Sequence, residues 1–225
     1  MNPLQTLELS PGVEPRATVI ILHGLGADAT DFLSMADELD LDAAGPVRFI
    51  FPRGPERPIT VNGGHRMRAW YDIIAFGGSS TSIQEDEAGL RATFAQVHAL
   101  LGREVERGVP ASRIVLAGFS QGCAVTLGAG LRYGQRLAGL IGMSGYLPLA
   151  TKTAAERHAA NAATPVLLAH GTRDPMISLA RGQATRDAVA ALGNPVSWHD
   201  YPMEHSVCME EVREVERFLL KVLAG

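Results

Sequence analysis

Residues 118–122 read GFSQG, a G-x-S-x-G motif that would present Ser120 as a nucleophile. The apolar run RIVLA ends just before the motif, and a helical pattern begins just after it. A serine on such a tight strand-to-helix turn needs glycine two residues to either side, because larger side chains would collide. The helix start also leaves N–H groups free to face negative charge on a substrate. The motif therefore predicts nucleophilic catalysis by Ser120; the competing interpretation is a glycine-rich turn with a helix-capping serine.

A serine nucleophile needs a general base, which in enzymes with this motif follows the serine and the acid along the chain. Four histidines follow Ser120. His205 lies in PMEHS, between the last predicted strand and the last predicted helix, where a loop would bring an imidazole over the serine. His170 and His199 fall within predicted strands and are interpreted as sheet residues, and His158 as a solvated side chain. His205 is therefore the predicted base.

The acid should hold the tautomer of the histidine and favour its cation. Asp174 follows the predicted strand PVLLAH, and active sites of open α/β sheets form at the carboxyl ends of strands. Asp187 falls inside a predicted helix and is interpreted as a surface residue. Asp200 is the stronger competitor, since it closely precedes His205, but its neighbours predict a strand. The sequence therefore favours Asp174 as the acid.

A second turn would complete an oxyanion hole. The residues HGLG, at 23–26, directly follow the apolar run TVIIL, and lipases and esterases use an HG-type turn at this place. The predicted donors are the backbone N–H groups of Leu25 and Gln121. His23 is interpreted as a support for this loop and not as the base. The alternative is a plain glycine turn that opens the next helix.

Short apolar runs bounded by turn residues predict the strands. Most of the runs are apolar at consecutive positions, as in parallel strands that are covered on both faces. They lie at Thr18–His23, Val47–Phe51, Arg113–Ala117, Leu140–Met143, Pro165–His170 and Val196–Tyr201.

Helical patterns separate these runs, and the longest, Ser82–Arg107, opens with Ser82 and Glu85 at capping-box spacing. The others are Thr30–Leu39, Gln121–Tyr133, Ser178–Leu192 and Val207–Leu223. This alternation predicts an α/β fold: a mostly parallel, doubly wound sheet with helices on both faces and no separate cap domain. A length of 225 residues is typical of one such domain, spanning 1–225. The Gly- and Pro-rich stretch Pro52–Thr81, with Trp70, Tyr71 and Phe76, is interpreted as a functional loop.

Composition excludes several classes of function. The net charge of −4 and the scattered Lys and Arg residues argue against a nucleic-acid partner. No apolar run approaches the roughly 18 residues of a spanning helix, and the N-terminal residues do not have the pattern of a signal peptide. Cys123 and Cys208 form neither a disulfide framework nor a metal-ligand spacing. We expect both to be buried, in a protein of the reducing cytoplasm.

Five separated segments together resemble the phospholipase/carboxylesterase family of α/β-hydrolases, which includes bacterial carboxylesterases and acyl-protein thioesterases. The resemblance covers essentially the whole chain. It implies that Ser120 is the nucleophile, Asp174 the acid and His205 the base, with oxyanion N–H groups at Leu25 and Gln121. The matching segments are HGLGADATDF at 23–32, RAWYDI at 68–73, AGFSQG at 117–122, HGTRDP at 170–175 and YPMEHSV at 201–207.

The resemblance also implies a substrate pocket. Its lining residues would be Leu25, Trp70, Ile73, Ile74, Tyr146, Leu147 and Met176. The chain departs from the family at Cys123 and Glu204, where glycine is common, and family members vary between aromatic and aliphatic residues at Tyr146 and Met176. These departures leave the three catalytic assignments untouched and leave the acyl preference open.

The expected activity is hydrolysis of carboxylic esters, and of thioesters, with short to medium acyl chains through an acyl-serine intermediate. A small-ester carboxylesterase leads over an acyl-protein thioesterase or a lysophospholipase. No metal or organic cofactor is implied. The expected partner is a small-molecule or lipid-like ester, with no nucleic acid and no stable membrane insertion, and a homodimer is compatible with the sequence. A non-catalytic binding module with a hydrolase fold is the alternative from another class, and a serine peptidase is disfavoured because no propeller or cap domain is encoded.

Overall fold

A seven-stranded sheet forms the centre of the computed structural model, which describes residues 3–74 and 85–224. The strands of the described residues are β1 (Thr6–Leu9), β2 (Ala17–Leu22), β3 (Val47–Pro52), β4 (Glu56–Ile59), β5 (His65–Arg68), β6 (Ile114–Phe119), β7 (Gly139–Met143), β8 (Val166–Gly171) and β9 (Val196–Tyr201). The order across the sheet is β1-β3-β2-β6-β7-β8-β9. All neighbours pair in parallel except β1, which runs antiparallel to β3 at one edge.

Six α-helices of the described residues accompany the sheet: α1 (Leu33–Asp37), α2 (Glu87–Glu106), α3 (Gln121–Gly130), α4 (Ala150–Glu156), α5 (Leu179–Ala191) and α6 (Met209–Val222). Side chains of α2, α3 and α5 belong to one buried apolar cluster, and those of α1 and α6 belong to another. The predicted mostly parallel sheet with helices on both faces is therefore confirmed. None of the helices in the described ranges combines the length and the hydropathy that a membrane span requires.

The apolar runs of the central strands fill both clusters at once. In β2, Ile20 and Leu22 belong to the cluster with α2 and α3, whereas Val19 and Ile21 belong to the cluster with α1 and α6. Successive side chains of a strand point to opposite faces, so a strand that is covered on both sides is apolar at most positions. Burying each such side chain contributes about 1.5–3 kcal/mol. The central strands are thus anchored by apolar packing on both faces.

Four elements were not predicted: β1, β4, β5 and α4. The strands β4 and β5 form a separate antiparallel hairpin inside Pro52–Thr81, the predicted functional loop. Its turn contains Gly63 and Gly64, both with positive φ. Charged side chains dominate this hairpin, and α4 (ATKTAAE) lacks an apolar stripe, so neither has the periodicity that identifies an element from sequence.

The start of α2 differs from the prediction. The helix begins at Glu87, and the Asp86 carboxylate accepts a hydrogen bond from the Gly89 N–H at 2.8 Å. Glu85 instead forms an isolated antiparallel bridge with Ile73, so the prediction of helix at Glu85 is wrong. A single aspartate at the N-cap replaces the expected capping box. Ser82 and Phe76, which the predictions also used, lie outside the described residues.

Candidate active site

The sharp turn between β6 and α3 holds Ser120 with φ 56° and ψ −116°, a conformation that few non-glycine residues adopt. A Cβ atom on Gly118 would lie 2.3 Å from the carbonyl oxygen of Gly122, and one on Gly122 would lie 2.1 Å from that of Leu22. Both distances are far below a van der Waals contact, so both positions require glycine. The structure therefore contains the strand–turn–helix geometry that the motif predicts around Ser120.

Ser120, His205 and Asp174 form one hydrogen-bonded chain at the carboxyl edge of the sheet. The Nε2 atom of His205 lies 2.8 Å from the Ser120 Oγ, and its Nδ1 atom lies 2.7 Å from Oδ2 of Asp174. The other Asp174 oxygen, Oδ1, accepts the N–H groups of Met176 and Ile177 at 2.8 and 2.9 Å. The carboxylate is thus held in place by three donors, and the imidazole is oriented with one nitrogen on the serine hydroxyl.

The remaining histidines after Ser120 do not reach it. His158 is exposed, and its Nδ1 accepts the N–H of Ala160. His199 lies on β9 with its Nε2 3.3 Å from a Glu214 oxygen. His170 is buried at the end of β8, and because a carbonyl oxygen only accepts, its Nε2 must donate to the carbonyl of Ile177 at 2.8 Å.

The two competing acids are also placed elsewhere. Asp200 is exposed and accepts the indole N–H of Trp198 at 3.2 Å. Asp187 is exposed on α5 and pairs with Arg186 at 2.8 Å. Neither carboxylate is within hydrogen-bonding distance of His205, whose Nδ1 is occupied by Asp174.

The turn after β2 directs the N–H group of Leu25. The Nε2 of His23 accepts the Gly54 N–H at 2.9 Å, so its Nδ1 carries the proton and donates to the Gly24 carbonyl at 2.7 Å. Burial lowers the pKa of His23, which favours this neutral form. The C=O and N–H of a trans peptide point in opposite directions, so holding the Gly24 carbonyl also fixes the direction of the Leu25 N–H. His23 thus supports the loop.

Gln121 connects the serine turn to the segment RAWYDI. As the first residue of α3, it has no carbonyl one turn earlier to accept its N–H. Its side-chain oxygen accepts the Trp70 N–H, and its side-chain nitrogen donates to the Tyr71 carbonyl, both at 2.8 Å. The Trp70 indole N–H donates to the His23 carbonyl at 2.8 Å. The sequence analysis assigns a role only to the backbone N–H of Gln121 and misses this role of its side chain. The position of Gln121 within the segment AGFSQG was the one signal that pointed to it.

A cleft of about 690 Å³ opens over the serine. Its described lining includes Ser120, Gln121 and His205, and five of the predicted pocket residues: Leu25, Ile73, Ile74, Tyr146 and Met176. Sequence reasoning missed a further apolar wall, contributed mainly by α1, by the start of α6 and by the residue before the serine. Its members are Phe32, Met35, Phe119, Val207, Met209 and Val212.

Trp70 and Leu147 are not on the cleft surface, which corrects their predicted place in the pocket. Trp70 is completely buried, and its indole N–H donates a hydrogen bond to the His23 carbonyl. Leu147 is buried in the same core cluster, and its N–H donates to the Thr185 hydroxyl at 3.0 Å. Both side chains belong to the core cluster that contains side chains of α2, α3 and α5.

One side of the cleft is polar. The hydroxyl groups of Tyr71 and Tyr146 share a hydrogen bond of 2.7 Å, and the guanidinium of Arg181 lies over the Tyr146 ring, 3.6 Å from its centroid. Burial raises the pKa of both tyrosines, so both phenols are neutral near pH 7. Glu85 also lines this side, and burial raises the pKa of its carboxyl group.

The two cysteines have different environments. Cys123 is buried, as expected, and burial raises the pKa of its thiol. Cys208 is only half-buried and lines the cleft at the start of α6, so the expectation that both are buried is wrong for Cys208. It precedes a helix that borders the cleft, and this position exposes it.

Comparison with known proteins gives consistent matches along nearly the whole chain. The model of the family described as phospholipase/carboxylesterase matches residues 8–223. Acyl-protein thioesterase 1 of Neurospora crassa is 41% identical over 213 residues, which cover 92% of this chain and 87% of that protein. Acyl-protein thioesterase 1 of Yarrowia lipolytica is 35% identical over 223 residues, 97% of each chain. The crystal structure of Zea mays acyl-protein thioesterase 2 is similar with a TM-score of 0.84 and 29% identity, covering 97% of this chain and 99% of that one.

Proposed function

The chain belongs to the phospholipase/carboxylesterase family of α/β-hydrolases, and from this premise we propose that it is a carboxylesterase acting through Ser120, His205 and Asp174. It is a serine hydrolase that cleaves ester or thioester bonds. The observation that carries the proposal is the hydrogen-bonded chain from Ser120 through His205 to Asp174, with contacts of 2.8 and 2.7 Å, at a cleft. This is the arrangement of nucleophile, base and acid in serine hydrolases.

The first half-reaction acylates the serine. His205 Nε2 takes the Ser120 proton as Oγ attacks the substrate carbonyl, and the carbonyl oxygen becomes an oxyanion facing the N–H groups of Leu25 and Gln121. Asp174 keeps Nδ1 protonated and stabilises the imidazolium. The C–O or C–S bond then breaks, and the alcohol or thiol leaves with the proton from His205. Loss of one oxyanion donor typically costs about 10²–10³ in kcat.

The second half-reaction releases the acyl group. Water enters the site and gives a proton to His205 Nε2 as its oxygen attacks the acyl-serine. The same N–H donors hold the second oxyanion. Its collapse breaks the bond to Oγ, which regains a proton from His205, and the carboxylic acid leaves. The enzyme returns to its starting state.

The proposed substrate has a short to medium acyl chain. The cleft volume of about 690 Å³ lies within the usual range of small-molecule sites, about 300–1,000 Å³. Leu25, Ile73, Ile74, Tyr146 and Met176 are proposed to contact the substrate, since all five line the cleft. Each buried methylene is worth about 0.8 kcal/mol, or about fourfold in kcat/KM, until the cleft is filled.

A second candidate is an acyl-protein thioesterase. The names of the Neurospora and Yarrowia relatives favour it, and the same acyl-serine chemistry would release a thiol in place of an alcohol. Lysophospholipase activity stays a prediction. A non-catalytic binding module is disfavoured by the complete hydrogen-bonded chain at Ser120.

Localisation and assembly belong to the proposal as well. We place the protein in the cytoplasm, and its two free cysteines support a reducing compartment. Nucleic-acid binding and stable membrane insertion are not proposed, and the homodimer stays a prediction.

A matched substrate panel tests the function. Each oxygen ester is compared with the thioester of the same acyl group, such as ethyl butyrate with S-ethyl thiobutyrate, so that acyl recognition is the same in both. The rates of alkaline hydrolysis of the two compounds correct for their different intrinsic reactivity. The carboxylesterase proposal predicts that corrected kcat/KM is at least as high for the ester as for the thioester. It should also rise from acetate to a short or medium chain and then level off or fall.

The Ser120→Ala variant is the background control for this panel. A preference of about tenfold or more for thioesters would favour the thioesterase, and preferential cleavage of a lysophospholipid would favour the lysophospholipase. If the wild-type protein hydrolyses none of these substrates, the proposed function is contradicted.

A further inference from the structure

One arginine, Arg181 on α5, lines the cleft that contains Ser120. It is the only lysine or arginine among the described lining residues. No carboxylate of residues 3–74 and 85–224 lies within salt-bridge distance of its guanidinium, whereas Arg186 on the same helix pairs with Asp187 at 2.8 Å. The cleft therefore contains a cation whose charge the described chain does not neutralise directly.

An aromatic ring orients this guanidinium. Its central carbon lies 3.6 Å from the centroid of the Tyr146 ring, which is itself held by the hydrogen bond to the Tyr71 hydroxyl. A stacked guanidinium uses its face, and its five N–H donors point outward in the plane. Arg181 is thus oriented in advance, so little side-chain entropy is lost when an acceptor binds.

Carboxylates also line the cleft, and most are engaged by the protein's own donors. Asp72 accepts the N–H and the hydroxyl of Thr60, and Glu85 accepts the Leu149 N–H with both oxygens at 3.1 Å. These contacts fix the acidic side chains of the polar side, while Arg181 faces the same space. The four carboxylates of the lining are Asp31, Glu38, Asp72 and Glu85.

We propose that Arg181 is a specificity-determining residue that binds a carboxylate group carried by the ester or thioester substrate. The inference rests on the proposed function, because the substrate carboxylate is placed relative to the ester or thioester bond that Ser120 attacks. A guanidinium binds a carboxylate through two parallel N–H···O bonds. Charge-assisted bonds of this kind are worth about 10- to 100-fold in kcat/KM when they persist in the transition state. The carboxylate is carried either by the acyl chain or by the leaving group.

The experiment compares anionic esters with neutral partners of similar length. One arm varies the acyl chain, with p-nitrophenyl hemiesters of glutarate, adipate and suberate against the corresponding neutral acyl esters. The other arm varies the leaving group, with the butyrate ester of 4-hydroxybenzoate against phenyl butyrate. The readout is the ratio of kcat/KM for each anionic ester to that of its neutral partner, so a general loss of activity cancels.

The variants are Arg181→Gln and the matched control Arg186→Gln. Both arginines lie on α5 and both lie over an aromatic ring, since Arg186 is 5.4 Å from the Trp198 centroid, but only Arg181 lines the cleft. In at least one arm, R181Q should lower the ratio by about tenfold or more, and R186Q should leave it within about twofold of wild type. The R181Q effect should persist in about 0.5 M NaCl, which screens charges that are not in contact.

The proposal would be overturned if R181Q lowered kcat/KM equally for neutral and anionic esters. It would also be overturned if R186Q changed the ratio as much as R181Q does, or if the effect of R181Q on the ratio disappeared in high salt. The arm that responds identifies which side of the scissile bond carries the anion. Hydrolysis of the neutral esters by the wild-type protein tests the proposed function separately. A failure of the Arg181 inference is therefore distinguishable from a failure of the function.

Discussion

Ser120 occupies a strained backbone conformation that the surrounding residues maintain. Its φ of 56° is in the left-handed region, and such a conformation typically costs about 1–3 kcal/mol. The Ser120 N–H donates to the Met143 carbonyl at 2.8 Å, and Gly118 and Gly122 leave room for the turn. The strain lifts the hydroxyl to the imidazole of His205, which is the geometry that the proposed reaction needs.

The acid assignment is tested by paired substitutions. Asp174→Asn should lower kcat by about 10³–10⁴, because an amide no longer holds the His205 tautomer that accepts the serine proton; this magnitude is by analogy with a serine protease. Asp200→Asn should change kcat less than about twofold, since Asp200 contacts Trp198 on an exposed face. Steady-state kinetics with one p-nitrophenyl ester are sufficient. The opposite ranking of the two variants would show that Asp174 is not the acid.

At the scale of elements, α6 lines the cleft and also buries an acidic side chain in its first turn. The helix begins shortly after His205 and contributes to the cleft wall. Glu211 in its first turn is completely buried, and neither carboxylate oxygen has a hydrogen-bond partner among the described residues. Burial raises the pKa of Glu211 from 4.5 to about 8. The folded protein therefore binds this proton more tightly than the unfolded chain does.

This shift predicts a pH-dependent effect of Glu211→Gln on stability. Between about pH 4.5 and pH 8 the folded state binds more protons at Glu211, so the free energy of unfolding of the wild type falls as pH rises, by at most about 1.4 kcal/mol per pH unit. The glutamine side chain does not titrate, so E211Q lacks this pH-dependent loss of stability. The stability advantage of E211Q should therefore increase from pH 5 to pH 8 in urea unfolding experiments. The exposed neighbour Glu210→Gln is the control, and an E211Q advantage that is constant over this range would contradict the prediction.

The elements differ in how far the sequence determines them. The six predicted strands are all present, and in the five central ones two-sided burial imposes apolar runs such as TVIIL, whereas the edge strand β9 (VSWHDY) is only partly buried. The hairpin β4–β5, the edge strand β1 and α4 have no such signature, since they are short and none contains a continuous apolar run. Trp70 shows a further limit. A single aromatic residue in a Gly- and Pro-rich stretch is compatible with a pocket wall or with the core. Its place in the core depends on hydrogen bonds to Gln121 and His23, which are far from it in sequence.

At the scale of the whole molecule, the candidate site forms where three parallel strands end. β6, β8 and β9 precede Ser120, Asp174 and His205 respectively, and the parallel order brings these carboxyl ends to one edge. Chain order and motifs were therefore enough to predict that these three side chains meet. The wall formed by α1 and α6 was not predictable in this way. These helices are far apart in sequence, and their meeting beside the serine is set by packing against the sheet.

The central claim is that Ser120 forms a covalent intermediate, and active-site labelling tests it most directly. The wild-type protein, the Ser120→Ala variant and the His205→Ala variant are treated with a fluorophosphonate and analysed by intact-protein and peptide mass spectrometry. We predict one adduct per wild-type chain, located on Ser120, with no adduct in S120A and slow labelling in H205A, because the serine then lacks its base. An adduct of equal yield in S120A, or a wild-type adduct on another residue, would contradict the account.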